Sequence, residues 1–344
     1  MGKESKSIKY DSGAEIRDKE WLCLHRNENL FSNQDWFVKI AIKTLSGANL
    51  SYYPDSTCRV LRENLAELYN VNPENVFVGN GADEVLSNLL GLLRSSYDRM
   101  SVLDVCFKVF HLLANRFGFE LDIIPGDTFE TGQTTLIGWT GLAVIDSPNS
   151  ITSARLTVDS LKDFSSDPKS FLVWDNVYGE FAGDVLREPL TKNIAIVRSF
   201  SKFYGLAGMR VGYCIADSTI IDALSNRKDV FNVNVLGQLM AIEALRSRER
   251  FEHMSDQMLE CRQDLTKRLI NLGFHVRKPS GNFLLATHPD FSAEFIQREL
   301  HKRKIAVRRF PEEPTTNYIR ITIPQTACVE RLNDVLNKIL KTPR

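Results

Sequence analysis

The sequence predicts an α/β protein that has a large domain with a mostly parallel seven-stranded sheet and a smaller α+β domain. Between about residues 75 and 216, seven short apolar runs alternate with helical patterns. Strands that read as continuous apolar runs separated by helices are typical of a parallel sheet covered on both faces. After residue 230 the pattern changes to a long helical stretch, which runs to about Leu272 and precedes three more strand candidates.

The predicted elements follow one another in a regular order. The strands of the large domain are NVFVG, MSVLDV, LDIIP, LAVIDSP, FLVWDN, IAIVRSF and MRVGYCIA, and the first two are followed by the helices DEVLSNLLGLL and FKVFHLLANRFG. The strands of the small domain are FLLATH, KIAVRRF and YIRITI. Because the sequence contains no internal repeat and no low-complexity linker, we expect the two domains to pack closely.

Composition disfavours several classes of partner. The chain has 43 acidic and 43 basic side chains and no formal net charge, so it lacks the charge excess that nucleic-acid or anionic-membrane binding requires. Its six cysteines stand singly, which fits reduced thiols better than a disulfide or zinc framework, and we expect no metal. The polar start and the lack of a membrane-length apolar run predict a cytoplasmic protein.

Four strand ends carry the candidate chemistry, because ligands of open α/β sheets bind beyond the carboxyl ends of the strands. In VGNGADE, a glycine-rich turn enters a helix whose first N–H groups can bind an anion. LAVIDSPNS ends in polar residues, and FLVWDNVYGEF places Tyr178 three residues after Asp175. In SFSKFYGLAGMR, two serines and Arg210 surround Lys202. Each feature alone is equally compatible with an ordinary turn.

One cofactor requires all four features together. Pyridoxal phosphate (PLP) needs a lysine for its Schiff base, an acid at its pyridine nitrogen, a donor to its phenolic oxygen and a cup for its phosphate. Lys202 and Asp175 fill the first two roles, and Tyr178 with Asn149 fills the third. The phosphate cup would consist of Gly81, Ala82, Asp83, Ser199, Ser201 and Arg210.

The sequence resembles the fold-type I PLP enzymes and, among them, the histidinol-phosphate aminotransferases. The matching stretches are YYPD, GNGADE, DNVY, SFSKFYGLAGMRVGY, PSGNFLL and YIRITI, which occur in the family's order over roughly residues 21 to 325. The resemblance implies an N-terminal segment (1–44) that contributes to the small domain and to dimer contacts, a large PLP-binding domain (45–245) and a small C-terminal domain (246–344).

The resemblance also implies roles for individual residues. Lys202, Asp175 and Tyr178 are the expected catalytic residues, and Phe107 is the expected aromatic ring on the cofactor. Tyr53 matches a tyrosine that reaches the cofactor of a partner subunit, which implies a homodimer with shared active sites. The expected substrate contacts are Arg320 for the carboxylate or phosphate, Arg308 as a second anion contact, Asn282 and Asn29.

Two stretches depart from the family pattern. The family's Asn-Pro-Thr-Gly loop is here PNSITSARL, without that proline and glycine, and its Asn-Glu-Asn-Pro is NENLF. Position by position, Ser150 aligns with the family's cofactor asparagine. We nevertheless predict Asn149 as the cofactor contact, because only an amide reproduces the donor geometry.

These features predict a PLP-dependent aminotransferase that acts on an amino acid or an amino-acid-derived phosphate such as histidinol phosphate. The two departures leave open a specialised PLP enzyme of the same superfamily, either a decarboxylase or a cyclase or oxidase of arginine derivatives. A non-catalytic binding module is a third reading, which the retained Lys202 and the lack of a basic patch disfavour.

Overall fold

A computed structural model describes residues 16, 18, 20–124, 132–183 and 191–341. Its strands are β1 (Leu22–Leu24), β2 (Val76–Gly79), β3 (Arg99–Leu103), β4 (Glu120–Ile124), β5 (Gln133–Thr134), β6 (Leu142–Asp146), β7 (Arg155–Leu156), β8 (Phe171–Asp175), β9 (Ile194–Ser199), β10 (Gly212–Ile215), β11 (His275–Val276), β12 (Phe283–Thr287), β13 (Ile305–Arg309) and β14 (Ile319–Thr322). Its helices are α1 (Gln34–Ser46), α2 (Arg59–Tyr69), α3 (Ala82–Leu93), α4 (Val109–Phe117), α5 (Val158–Ser166), α6 (Gly179–Ala182), α7 (Ser218–Ser225), α8 (Val235–Arg246), α9 (Arg248–Asn271), α10 (Ala293–His301) and α11 (Thr326–Lys341).

The large sheet contains the seven strands predicted from the apolar runs. Their order is β2-β10-β9-β8-β6-β3-β4. All neighbours are parallel except β10, which is antiparallel to both β2 and β9. Every residue of β6, β8 and β9 is buried, as expected for central strands covered on both faces. The predicted fold class is therefore confirmed.

The small sheet combines the three predicted C-terminal strands with two short strands that the sequence did not reveal. Its order is β1-β13-β14-β12-β11, with β1 parallel to β13 and the other pairs antiparallel. The N-terminal segment thus enters the small sheet through β1. Residues 1–15 of that segment lie outside the described residues, and the predicted boundary at 245 falls one residue before the end of α8.

The core consists of two apolar clusters. One lies between β3, β6 and β8 and the helices α3 and α4. The other joins the small sheet with α9, α10, α11 and the β2–β10 side of the large sheet. Because the second cluster contains residues of both sheets, it fixes the small sheet against the edge at which the large-domain strands end.

Candidate active site

The candidate residues gather at one edge of the large sheet. Asp146 at the end of β6 is in register with Asp175 at the end of β8, since the two strands are parallel neighbours. At the same edge, Gly212 at the start of β10 faces both Ser199 and Gly79 because β10 runs in the opposite direction. The chain segments that follow β2, β6, β8 and β9 therefore meet, as the sequence predicted.

Lys202 follows β9 and is held by the N-terminal segment. Its Nζ atom donates hydrogen bonds to the backbone carbonyls of Arg26 and Asn27, at 3.2 and 3.1 Å. The sequence predicted Asn29 as a substrate contact, but its amide donates to the carbonyls of Lys202 and Phe203, at 3.1 and 2.8 Å. Asn29 thus positions the lysine turn, and both of these bonds go to the backbone rather than into the pocket.

Tyr178 lies beside Lys202 with its hydroxyl oriented by Asn27. The Asn27 amide donates to the Tyr178 hydroxyl oxygen at 3.0 Å, which leaves the phenolic hydrogen available for another acceptor. The Lys202 Nζ atom lies 5.7 Å from the centre of the Tyr178 ring. The sequence analysis did not identify Asn27, although it is buried and also hydrogen-bonds Thr322.

Asn282 joins the same cluster from the small domain. Its amide nitrogen donates to the carbonyl of Asn27 at 3.2 Å and more weakly to that of Glu28 at 3.4 Å. Its Oδ1 atom is buried and has no hydrogen-bond partner among the described residues. A buried polar atom of this kind is costly unless a ligand satisfies it, so Asn282 keeps an acceptor for one.

Asp175 and Asp146 form a pair of buried carboxyl groups at adjacent strand ends. Burial raises the pKa of Asp175 well above its usual range, and the charge of Asp146 raises it further. Burial also raises the pKa of Asp146, to about 6, although hydrogen bonds from Ser150 and from the Phe107 backbone act in the opposite direction. The edge of the sheet therefore favours a cationic partner next to these carboxyls.

The raised pKa of Asp146 predicts a pH-dependent stability of the cofactor-free protein. A carboxyl whose pKa rises on folding favours the folded state at low pH, and this contribution is lost as the pH rises from about 4 through about 6. At about 1.4 kcal/mol per pKa unit, we expect the wild type to lose about 2 kcal/mol relative to Asp146→Asn between pH 4.5 and 7. Urea unfolding of both proteins at pH 4.5 and 7 measures it, and a pH-independent difference would contradict the prediction.

An anion cradle lies where α3 begins. The helix starts at Ala82 without a side-chain cap among the described residues, so its first N–H groups remain available. Gly81 has a φ of 81°, and a Cβ at this position would lie 2.6 Å from the Arg210 Nη2 atom. The Arg210 guanidinium also pairs with Asp83, at 2.8 Å. Only glycine leaves room here for Arg210 to approach the helix N-terminus.

Two serine hydroxyls complete the cradle. The Ser199 Oγ atom donates to the Ser201 Oγ atom at 2.9 Å and accepts the backbone N–H of Ser201 at 3.0 Å. Both side chains are largely buried; Ser199 ends β9 opposite Gly212, and Ser201 follows two residues later. The cradle thus combines helix amides, hydroxyls and one guanidinium, which is the donor set that a phosphate prefers.

The loop after β6 uses Asn149 internally. Its amide nitrogen donates to the Val105 carbonyl at 2.8 Å and to Asp146 at 3.1 Å. Its amide oxygen accepts the backbone N–H groups of Ile151 and Thr152. Both amide hydrogens of Asn149 are therefore engaged within the protein, and the carbonyl of the neighbouring Ser150 accepts a hydrogen bond from Arg320 at 2.7 Å. The choice of Asn149 as the cofactor contact stays a prediction.

Arg320 and Arg308 stand side by side, because β13 and β14 are antiparallel and the two residues are in register. Arg320 donates to the carbonyls of Ser150 at 2.7 Å and of His25 at 3.1 Å. Both guanidinium groups lie over the Phe310 ring, at 5.2 and 5.7 Å from its centre. A cavity of ≈ 330 Å³ is lined in part by Arg308, and a second cavity of ≈ 370 Å³ is lined in part by Phe310.

Phe107 and Tyr53, the two remaining predicted cofactor contacts, each contact another aromatic ring. Phe107 precedes α4 and makes an edge contact with the ring of Phe110, with ring centres 5.8 Å apart. Tyr53 is 80% exposed and stacks on Phe231 at 4.4 Å, so it makes no contact with the cluster around Lys202 within the same chain.

Among the described residues, no group of three or more His, Cys, Asp or Glu side chains is arranged to hold a metal ion. Over the same ranges, no helix is both long and apolar enough to cross a membrane.

The gathered groups fit PLP. An amine, a buried carboxyl that favours a cation, a phenol with a free hydrogen and a phosphate cradle lie at one sheet edge, and these are the groups this cofactor requires. Fold and site together define a PLP-dependent enzyme.

Comparison with known proteins identifies the family. The model of the aminotransferase class I and II family matches residues 19–336. A histidinol-phosphate aminotransferase of Brachyspira hyodysenteriae is 30% identical over 332 residues, which cover 94% of each chain, and one of Clostridium botulinum is 29% identical over 338 residues, 96% of this chain and 95% of that protein. The crystal structure of the Sinorhizobium meliloti histidinol-phosphate aminotransferase in complex with pyridoxal-5'-phosphate superposes with a TM-score of 0.81 at 20% identity, covering 93% of this chain and 90% of that one. The chain belongs to the aminotransferase class I and II family, and it is an aminotransferase that uses PLP.

Proposed function

We propose that this aminotransferase takes its amino group from an amino-acid-derived phosphate of the histidinol phosphate type. The observation that carries the proposal is the in-register pair of Arg308 and Arg320, which presents two guanidinium groups over one aromatic ring. A phosphate dianion matches two adjacent guanidiniums better than a single carboxylate does. The two relatives described above are both histidinol-phosphate aminotransferases, which agrees with this choice.

We propose the following cofactor contacts, which the geometry of the sheet edge supports. Lys202 is the covalent anchor, Asp175 pairs with the pyridine nitrogen, and Tyr178 donates to the phenolic oxygen. The amides of Ala82 and Asp83, with the remaining residues of the cradle, hold the phosphate. Ser150 rather than Asn149 faces the cofactor, since both amide hydrogens of Asn149 are engaged in the loop.

Bound PLP supplies an electron sink for the pair of electrons released at the substrate carbon. Arg320, held by the carbonyls of Ser150 and His25, orients the substrate anion, with Arg308 as the second contact. With PLP bound, the Lys202 amine would remove the proton from the substrate carbon and hold it for return to the reacting atoms. The ionised form of Asp175 stabilises positive charge on the cofactor ring.

The proposal is tested by comparing donors in wild type and in Arg308→Ala. We expect histidinol phosphate to be the better donor in the wild type, and the variant to lose about 10–100-fold in kcat/KM for it. A donor with a single carboxylate, such as alanine, should lose less than about threefold. The exposed Arg303→Ala serves as the control. Equal losses of kcat/KM for both donors, or turnover of another amine alone, would contradict the proposal. Release of CO₂ in place of amino transfer would contradict it too and would favour a decarboxylase.

We also propose a homodimer with shared active sites. Tyr52 and Tyr53 are 74% and 80% exposed. Helix α1 and the segment around Phe231 also carry large apolar side chains that are exposed to solvent. Large exposed apolar side chains that cluster in this way are typical of a protein interface. Light scattering of the holoenzyme is expected to give twice the chain mass of 39.1 kDa, and a monomer would contradict the proposal.

A further inference from the structure

A second buried carboxyl group lies beside Asp175, and the proposed chemistry does not use it. Asp146 ends β6, is in register with Asp175 and is 3% exposed. Placing an additional carboxyl in the sheet interior is costly unless hydrogen bonds compensate it. Its contacts therefore indicate what the protein gains from it.

The hydrogen bonds of the Asp146 carboxyl come from the loops around the cofactor position. The Oδ2 atom accepts the backbone N–H of Ser150 at 2.8 Å, and the Oδ1 atom accepts the Asn149 amide at 3.1 Å. Further hydrogen bonds come from the Ser150 side chain and from the backbone of Phe107. The loop that lacks the family's proline and glycine is thus held by a carboxylate.

These bonds fix the two peptide groups on either side of Ser150. Asp146 holds the first directly, through the Ser150 N–H. The second contains the Ser150 carbonyl and the Ile151 N–H, and the Asn149 amide oxygen accepts that N–H at 3.0 Å. Since a peptide group is planar, holding its N–H also sets the direction of its carbonyl. Asp146 in turn holds the Asn149 side chain.

The Ser150 carbonyl accepts a hydrogen bond from the Arg320 Nη1 atom at 2.7 Å. The direction of this carbonyl therefore helps to set the plane of the Arg320 guanidinium, because a planar donor group binds its acceptors with a fixed geometry. A continuous path of hydrogen bonds connects the carboxyl at the end of β6 with the arginine on β14.

We propose that Asp146 is a positioning residue that orients Arg320 toward the substrate anion through Asn149 and the two peptide groups of Ser150. The inference rests on the proposed role of Arg320 in substrate binding. It assigns to a strand-end carboxylate the task of fixing a loop that lacks the family's proline and glycine. Substrate affinity, rather than the chemistry at Lys202, is the property that Asp146 controls.

A double-mutant cycle on the PLP-loaded enzyme tests the proposal. Succinate serves as an unreactive carboxylate probe, and calorimetry measures its dissociation constant in wild type, Asp146→Ala, Arg320→Lys and the double variant. We expect Asp146→Ala to weaken succinate binding about 10-fold in the wild type and less than about twofold in the Arg320→Lys background. Visible absorbance verifies that each variant carries the cofactor.

Ser147→Ala is the matched control. The Ser147 Oγ atom accepts the Leu156 N–H at 2.8 Å and so anchors the same loop away from Ser150. We expect its effect on succinate binding to be the same, within about twofold, in both Arg320 backgrounds. A purely structural role of the loop would make Asp146→Ala behave as this control does.

The outcomes separate the two proposals. Equal effects of Asp146→Ala in both Arg320 backgrounds would overturn the role of Asp146, provided that Arg320→Lys itself weakens binding. If Arg320→Lys leaves succinate binding unchanged, the proposed substrate role of Arg320 fails. If the Asp146→Ala protein does not bind PLP, Asp146→Asn, which keeps the side-chain volume, replaces it. Failure of both variants to bind PLP would assign Asp146 to the cofactor pocket and overturn the proposal.

Discussion

Lys202→Ala is expected to lower kcat for amino transfer by about 10²–10⁴-fold or more, because it removes both the covalent anchor and the group that moves the proton. The Lys202 amine donates to the carbonyls of Arg26 and Asn27 and lies 5.7 Å from the centre of the Tyr178 ring, the position expected for both roles. Single-turnover measurement with excess PLP separates loss of chemistry from loss of cofactor.

Two matched variants complete this test. Lys202→Arg keeps the positive charge but not the reactive amine, and we expect it to be as inactive as the alanine variant. Lys267→Ala removes an exposed lysine on α9 and should retain wild-type activity. A Lys202→Ala protein with more than a tenth of wild-type turnover would contradict the assignment of Lys202.

Asp175→Asn is expected to reduce kcat by about 10²–10³-fold, the size of effect found when one preorganised electrostatic contact is removed. Burial and Asp146 raise the pKa of the Asp175 carboxyl, so a cationic pyridine nitrogen is the partner that brings it back to the ionised state. The neutral amide has the same shape but cannot supply this charge.

The measurement for Asp175→Asn is kcat together with the dissociation constant of PLP, and both are expected to worsen. Asp264→Asn, which alters an exposed ion pair with Arg268 on α9, is the control and should change neither value by more than about twofold. Unchanged kcat in Asp175→Asn would contradict the pairing of Asp175 with the cofactor.

The large sheet could be predicted from the sequence because each of its strands is recognisable from its own residues. Continuous apolar runs mark strands buried on both faces, and all seven form the sheet. The direction of β10 was not predictable in the same way, since an apolar run reads alike in parallel and antiparallel strands. β1 and β11 are only three and two residues long, which is too short for a periodic pattern.

The site was predictable in its parts but not in its connections. Lys202, Asp175 and Tyr178 stand in recognisable strand-end positions. Asn27 was missed because its role depends on a left-handed backbone conformation, with a φ of 52°, and on a contact with Thr322 that is 295 residues away. The choice between Asn149 and Ser150 stays a prediction, because residue type alone does not tell whether an amide is already engaged by its own loop, as the amide of Asn149 is.

The visible absorbance spectrum of the PLP-loaded protein directly tests whether PLP held by Lys202 accepts the amino group of histidinol phosphate. We expect histidinol phosphate to abolish the absorbance of lysine-linked PLP and to produce pyridoxamine phosphate. Addition of 2-oxoglutarate should then restore the original spectrum. The Lys202→Ala protein should show neither change. A wild-type spectrum that responds only to another amine, or a loss of absorbance that the oxo acid does not reverse, would contradict the account.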